Sequence, residues 1–186
     1  MTIIEKKIIN SIIFFALKNP DKKINRLKLM KLLWLADRIH LNKYGRLILK
    51  DKYNALPRGP IPSNTYNISK NSQSDYFTVK GFKITAIRSF EEAYFSKSDI
   101  EVLEHVWEKY GKSDIDLIRL SHKFPEWVRF EEVLNNPNFP NSYPMSLDDF
   151  FNPPIEDVEY DHNIEESNHS KKIFHKHSAI LSYLTE

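Results

Sequence analysis

With 186 residues, 41% of them hydrophobic and 28% charged, the chain carries enough apolar side chain for one core and is too apolar to stay disordered throughout. It has no cysteine, which excludes a disulfide framework, a cysteine nucleophile and a thiolate zinc site. The net charge of +2 hides an asymmetry: residues 1–154 hold 24 basic against 18 acidic side chains, and residues 155–186 hold 3 against 7.

Thr2 and Glu5 form a capping-box pattern ahead of an apolar run, predicting a first helix over about residues 3–18. Asn19-Pro20 ends it, because the residue before proline is pushed out of the helical region. The run Ile8 to Leu17 is far shorter than the ~20 apolar residues that span a bilayer. Lys18 follows it rather than a small-residue cleavage site. A soluble, cytoplasmic protein without a membrane partner is expected.

A second helix is predicted over about 25–44, where Leu29, Leu33, Ala36 and His40 keep helical spacing and Leu32, Trp34, Leu35, Ile39 and Leu41 widen the stripe. So wide a stripe belongs to a central helix touched on several sides, and Gly45 supplies a left-handed cap. Residues 21–58 hold eleven Lys or Arg against three Asp. They form either a solvated face or a surface for nucleic acid or an acidic protein.

Residues 76–87 alternate in the β manner around Lys80-Gly81, predicting a small hairpin. Ser98 with Glu101 reads as a capping box for a helix that presents Ile100, Leu103, Val106, Trp107 and Tyr110 and ends at Gly111. Ser113 with Asp116 starts a further helix reaching about His122. The body closes near Phe150 or Phe151. Residues 152–170 contain six acidic and no basic side chains and read as an acidic linker, with a short amphipathic helix over 171–186. The fold class is therefore mainly α with a small β-hairpin, an α+β body over 1–151 with a C-terminal arm.

No convergent catalytic set stands out. Asp37 and His40, three apart on one helix, are a candidate acid–base pair, but an Asp on an apolar helix more commonly ties down a neighbouring loop. Arg38 or Arg58 is its expected partner. His162, His169, His175 and His177 are too irregularly spaced for a metal set. Trp107, Tyr110 and Trp127 read as core rather than as stacking platforms for bases. Walker A, dinucleotide GxGxxG and GxSxG patterns are absent, so no enzyme, cofactor or metal is expected.

The segment "LPRGPIP", Leu56 to Pro62, cannot be helix interior or central strand, since its prolines lack the N–H donor and Gly59 reaches backbone angles closed to other residues. It reads as a stiff turn held against the second helix. Taken in order, "KLMKLLWLADRIHLNKYGR" (28–46), "DKYNALPRGPIPSNTY" (51–66) and "SHKFPEW" (121–127) closely resemble the Panacea domain, the SocA-like antitoxin domain also found in phage-associated proteins. The resemblance spans roughly residues 1–150. Its motifs fall on Lys31, Trp34, Asp37 and His40, on Arg58, Gly59, Pro60 and Tyr66, and on His122 and Trp127. Trp34 stands where many relatives have tyrosine, and Asn54 replaces a more usually apolar residue.

The resemblance implies a mainly helical antitoxin of a toxin–antitoxin module, which binds and neutralises a protein toxin encoded nearby. Asp37, His40, Arg58, Gly59 and Tyr66 would fix the loop on the helix. The C-terminal helix would dock either on the toxin or on its own domain through Ile173, Phe174, Ile180, Leu181 and Leu184. A DNA-binding transcriptional regulator using Lys22 to Lys52, and a proteolytic adaptor tethered by the acidic tail, are the alternatives.

Overall fold

A computed structural model describes the chain apart from Gln73, Ser113, Asp114, Asp161 and Glu186, with side chains described as far as Ile180. Helix α1 (Ile3–Leu17) begins on the expected box, with Glu5 N donating to Thr2 Oγ1 at 3.1 Å and Thr2 N to Glu5 Oε2 at 2.7 Å. Every residue from Ile8 to Ala16 is buried, so the apolar run is a core helix. Among the described residues no helix is long and apolar enough to cross a membrane.

A short strand, β1 (Lys23–Asn25), leads into α2 (Arg26–Tyr44). The Asn25 side chain caps α2 by accepting from Leu27 N at 2.8 Å. At the other end Gly45 takes φ +65° and donates its N–H to Leu41 O at 2.9 Å. Fifteen of the nineteen α2 residues are buried, so its charged side chains must find partners inside the protein.

Two antiparallel three-stranded sheets flank α2. In the first, ordered β1-β5-β4, the expected hairpin forms from β4 (Phe77–Lys80) and β5 (Lys83–Ala86), and β1 joins it through Ile24 opposite Ile84. The second, ordered β3-β2-β6, corrects the reading of "LPRGPIP" as a plain turn. Only Pro57-Arg58 turn; β2 (Tyr53–Leu56) and β3 (Gly59–Pro62) pair, with Asn54 opposite Ile61. The prolines are tolerated because β3 is the edge strand, and β6 (Tyr143–Pro144) covers the other side of β2.

Helix α3 (Ser63–Ile68) follows the hairpin, and α4 (Lys97–Val106) follows the first sheet. The α4 box uses Ser96 with Asp99, two residues before the expected Ser98 and Glu101. That register wins because Lys7 and Arg46 also meet the Asp99 carboxylate, at 2.6 and 2.9 Å, whereas Glu101 faces solvent. The chain widens into a π turn at Trp107–Gly111 before α5 (Leu117–Ser121), whose N-cap is Asp116. Ser113, the other half of the expected pair, lies outside the described residues. Two one-turn helices, α6 (Pro125–Val128) and α7 (Glu131–Leu134), and a 3₁₀ turn at Leu147–Phe151 complete the body.

The acidic stretch runs along this body. Arg38 Nη1 donates to the buried Tyr160 hydroxyl at 2.8 Å, and Nη2 donates to Asn152 O. The final helix, α8 (Ile164–Thr185), starts seven residues before the expected position. Ser167 and Ser170 are buried, and Ser167 Oγ lies 2.6 Å from Asn42 Oδ1 and 3.0 Å from Phe151 O. The acidic residues that suggested a linker, Glu165 and Glu166, lie on the solvent side of its first turn.

Candidate functional site

The three sequence motifs meet at the β2–β3 hairpin. Asp37, fully buried on α2, accepts at Oδ1 from Ile48 N (2.6 Å) and Leu49 N (3.1 Å), and at Oδ2 from the Tyr53 hydroxyl (2.6 Å). It thus ties the segment after α2 and the first strand of the hairpin to the helix. Neither expected arginine is its partner: Arg38 Nε pairs with buried Glu126 Oε1 at 2.8 Å, and Arg58 is exposed. Burial pushes Asp37 up to about 6 even though its three hydrogen bonds favour the carboxylate.

Lys31 lies two turns before Asp37 on the same helix and is also fully buried, donating from Nζ to Pro60 O at 2.8 Å. Burial, reinforced by the Arg58 charge, holds its amine well below the usual lysine range. Above it sits Gly59 with φ +95°. A Cβ there would overlap Ser121 Oγ and stand 2.6 Å from Lys31 Nζ, so glycine is required both for its backbone and for space. The third motif grips the opposite strand. Trp127 Nε1 donates to Leu56 O at 2.8 Å, and the His122 ring stacks flat on Trp127 with centroids 3.6 Å apart. Burial, with Lys31 nearby, lowers His122 to about 4, so the ring is neutral at physiological pH.

Of the residues expected here, Lys31, Asp37, Gly59, Pro60, His122 and Trp127 converge on the hairpin. Trp34 lies in the core, edge-on to Phe124 at 5.0 Å. His40 works elsewhere: Nδ1 lies 2.8 Å from Arg46 O and Nε2 lies 3.1 Å from Asp99 Oδ1, linking the end of α2 to α4. No hydrogen bond or ion pair between Asp37 and His40 appears among the described residues. Asp51 escaped the sequence reading. Its carboxylate accepts from Asn64 N (2.9 Å), Thr65 N (2.8 Å) and Thr65 Oγ1 (2.7 Å), capping α3, whose own N-cap, Pro62, offers no side-chain acceptor.

Arg58 is exposed, and Tyr66 packs half-buried against the core. Both line a cleft of about 440 Å³ between the hairpin, the first turn of α2 and the β4–β5 turn. Arg26 lines it too, only 9% exposed, with one donor on Gly81 O at 3.3 Å and its Nε–H without a partner. Phe82, 73% exposed, forms the outer wall, and no carboxylate belongs to the lining among the described residues. Sequence reasoning missed Arg26 and Phe82, since only the meeting of two separate turns brings them together.

The basic stretch divides between interior and surface, with Lys22, Lys23, Lys43, Lys50, Lys52 and Arg58 exposed. Arg26, Lys31 and Arg38 are buried, Lys28 donates to Gly111 O at 2.6 Å, and Arg46 joins Asp99. In the C-terminal helix the expected residues divide. Phe174 packs 5.7 Å from the Phe151 ring, and a Cβ on Gly45 would meet Ile173 Cβ at 3.0 Å, so both lie on their own domain, while Ile180 is exposed. The side chains of Leu181 and Leu184 lie outside the described residues. His175 Nε2 sits 2.6 Å from Asp148 Oδ1.

These contacts define an α+β scaffold in which a proline-rich hairpin is locked onto a buried helix by side chains from three separate motifs. The chain belongs to the family described as antitoxin SocA-like, Panacea domain, whose model matches residues 29–128, just over half of its length. No curated protein and no solved structure matches it.

Proposed function

We propose that this protein is a cytoplasmic antitoxin that neutralises a cognate protein toxin by direct contact and catalyses no reaction itself. Family membership supports the antitoxin role. The observation that favours contact over chemistry is the use of the motif's reactive groups. Asp37, Lys31 and His40 have their polar atoms engaged in holding backbone and neighbouring side chains, and the unpartnered Nε2 of the neutral His122 ring is buried away from solvent. A catalytic group needs a free lone pair or proton facing substrate. In this reading the motifs build the scaffold, and surfaces outside them, including the exposed stretch of α8 from His175 to Ile180, select the toxin.

A tagged pull-down from the native host at moderate salt tests this. The expected result is a near-stoichiometric partner that arrests growth when expressed alone and not when expressed with this chain. Recovery of duplex DNA or protease subunits without such a partner overturns it.

A further inference from the structure

The cleft beside the hairpin has a volume within the roughly 300–1,000 Å³ of ligand pockets, and its wall is largely apolar, with Leu27, Met30 and Phe82 facing two arginines. Arg26 is about nine-tenths buried in the cleft wall, and its Nε–H, out of reach of solvent, has no partner, so its charge is left uncompensated beside the cleft. Arg58 projects from the hairpin turn on the facing side. The first turn of α2 borders the same space and holds no acidic residue, its leading N–H groups already taken by Phe82 O and Asn25 Oδ1. Charge and shape together ask for an anion carried on an apolar body.

The edge of the hairpin excludes the other common way of holding a peptide. Pro60 and Pro62 give β3 no N–H at those positions, and Lys31 already occupies Pro60 O. An added strand therefore finds few free partners along this edge. The apolar wall also differs from the basic groove that tracks a nucleic-acid backbone.

We propose that this cleft receives a segment of the partner protein in which an apolar side chain is followed by a carboxylate. The apolar group packs against Phe82, Leu27 and Met30, and the carboxylate accepts from the exposed Arg58 guanidinium, with the Arg26 charge behind it. The inference rests on the antitoxin reading for the identity of the partner but not for the chemistry of the cleft.

The test titrates the full chain with acetyl-Ala-Phe-Glu-Ala-amide and with its Gln isostere, following the Arg26 side-chain Nε–H and the Phe82 amide by NMR. A saturable shift with the Glu peptide, at least about 10-fold weaker with the Gln peptide and lost in Arg58→Ala and Phe82→Ala, is expected. Both variants alter exposed side chains, so their folding is preserved. Equal affinity for the two peptides, a response only to duplex DNA or inorganic phosphate, shifts that follow the protein's own concentration, or no saturable shift each overturn the proposal.

Co-expression with the captured toxin separates the two readings. If the wild type neutralises and the Arg58→Ala/Phe82→Ala variant does so equally, the cleft proposal fails and the antitoxin reading stands. If the Glu peptide binds but the wild type protects against no co-purifying partner, the antitoxin reading fails and the cleft remains a carboxylate site.

Discussion

At the residue scale, Gly59 carries the hairpin's geometry. Gly59→Ala combines a φ of +95° with overlap on Ser121 and Lys31, and should cost about 2–4 kcal/mol, read as a lower urea midpoint with unchanged slope. Asp37 sets a pH dependence. Its folded-state pKa, about 6, lies above the unfolded value of 3.8, so between these pH values the folded chain binds more protons than the unfolded one. Stability from this group is therefore fully present below about pH 4 and is lost as pH rises through about 6. Asp37→Asn, which cannot ionise, should gain on the wild type by on the order of 2 kcal/mol between pH 4 and pH 7. Parallel stability curves would remove Asp37 as the source. That Asp37 ties down a loop was legible from an acid on an apolar helix. Its Tyr53 partner was not, because a hydroxyl sixteen residues away leaves no local trace.

At the scale of elements, the body and the C-terminal arm are joined by Arg38. Its guanidinium pairs with Glu126, reaches Tyr160 and Asn152 O, and lies 4.3 Å over the Phe124 ring. Arg38→Met leaves Glu126 buried without its partner and should cost about 3–5 kcal/mol, while Arg38→Met/Glu126→Leu should recover much of the loss. A denaturation double-mutant cycle measures both. Along α8 the docked and exposed positions should respond differently. Phe174→Ala is expected to cost about 1–3 kcal/mol through lost contact with Phe151, and Ile180→Ala to stay within about 0.5 kcal/mol. Helix starts with a local signature, such as the Thr2–Glu5 box and the Gly45 cap, were readable in the sequence. The start of α8 was not: the small face of Ser167 and Ser170 has no hydrophobic period and becomes intelligible only against Asn42, 125 residues away from Ser167.

For the whole molecule, the positive charge of residues 21–58 is divided: Arg26, Lys31 and Arg38 turn inward and Arg46 joins Asp99, while Lys22, Lys43, Lys50, Lys52 and Arg58 stay exposed. Duplex binding, if it depended on that stretch, would weaken with salt in proportion to the phosphates neutralised. With Arg26, Lys31 and Arg38 buried, retention on immobilised duplex DNA at about 150 mM salt is expected to match that of an unrelated protein of equal net charge. Stronger, steeply salt-dependent retention would return the regulator reading. The α+β class could be read from spacing and turn chemistry, and the site's motif residues from the resemblance to the family. What joins them could not, since Arg38–Glu126 and Asp51–Thr65 are encoded by folding rather than by neighbourhood in the chain.

The bare Cα of Gly45 has a consequence for how such proteins can diversify. Any side chain there would strike the Ser170 carbonyl, so the seat for the arm lies within the region that matches the family, and the arm itself lies beyond it. A tail can be traded between relatives only along with its socket: a bare residue after α2, an amide at Asn42 and a guanidinium at Arg38. Recombination that respects this triplet would exchange the exposed end of the arm in one step, leaving the body that makes the protein fold untouched.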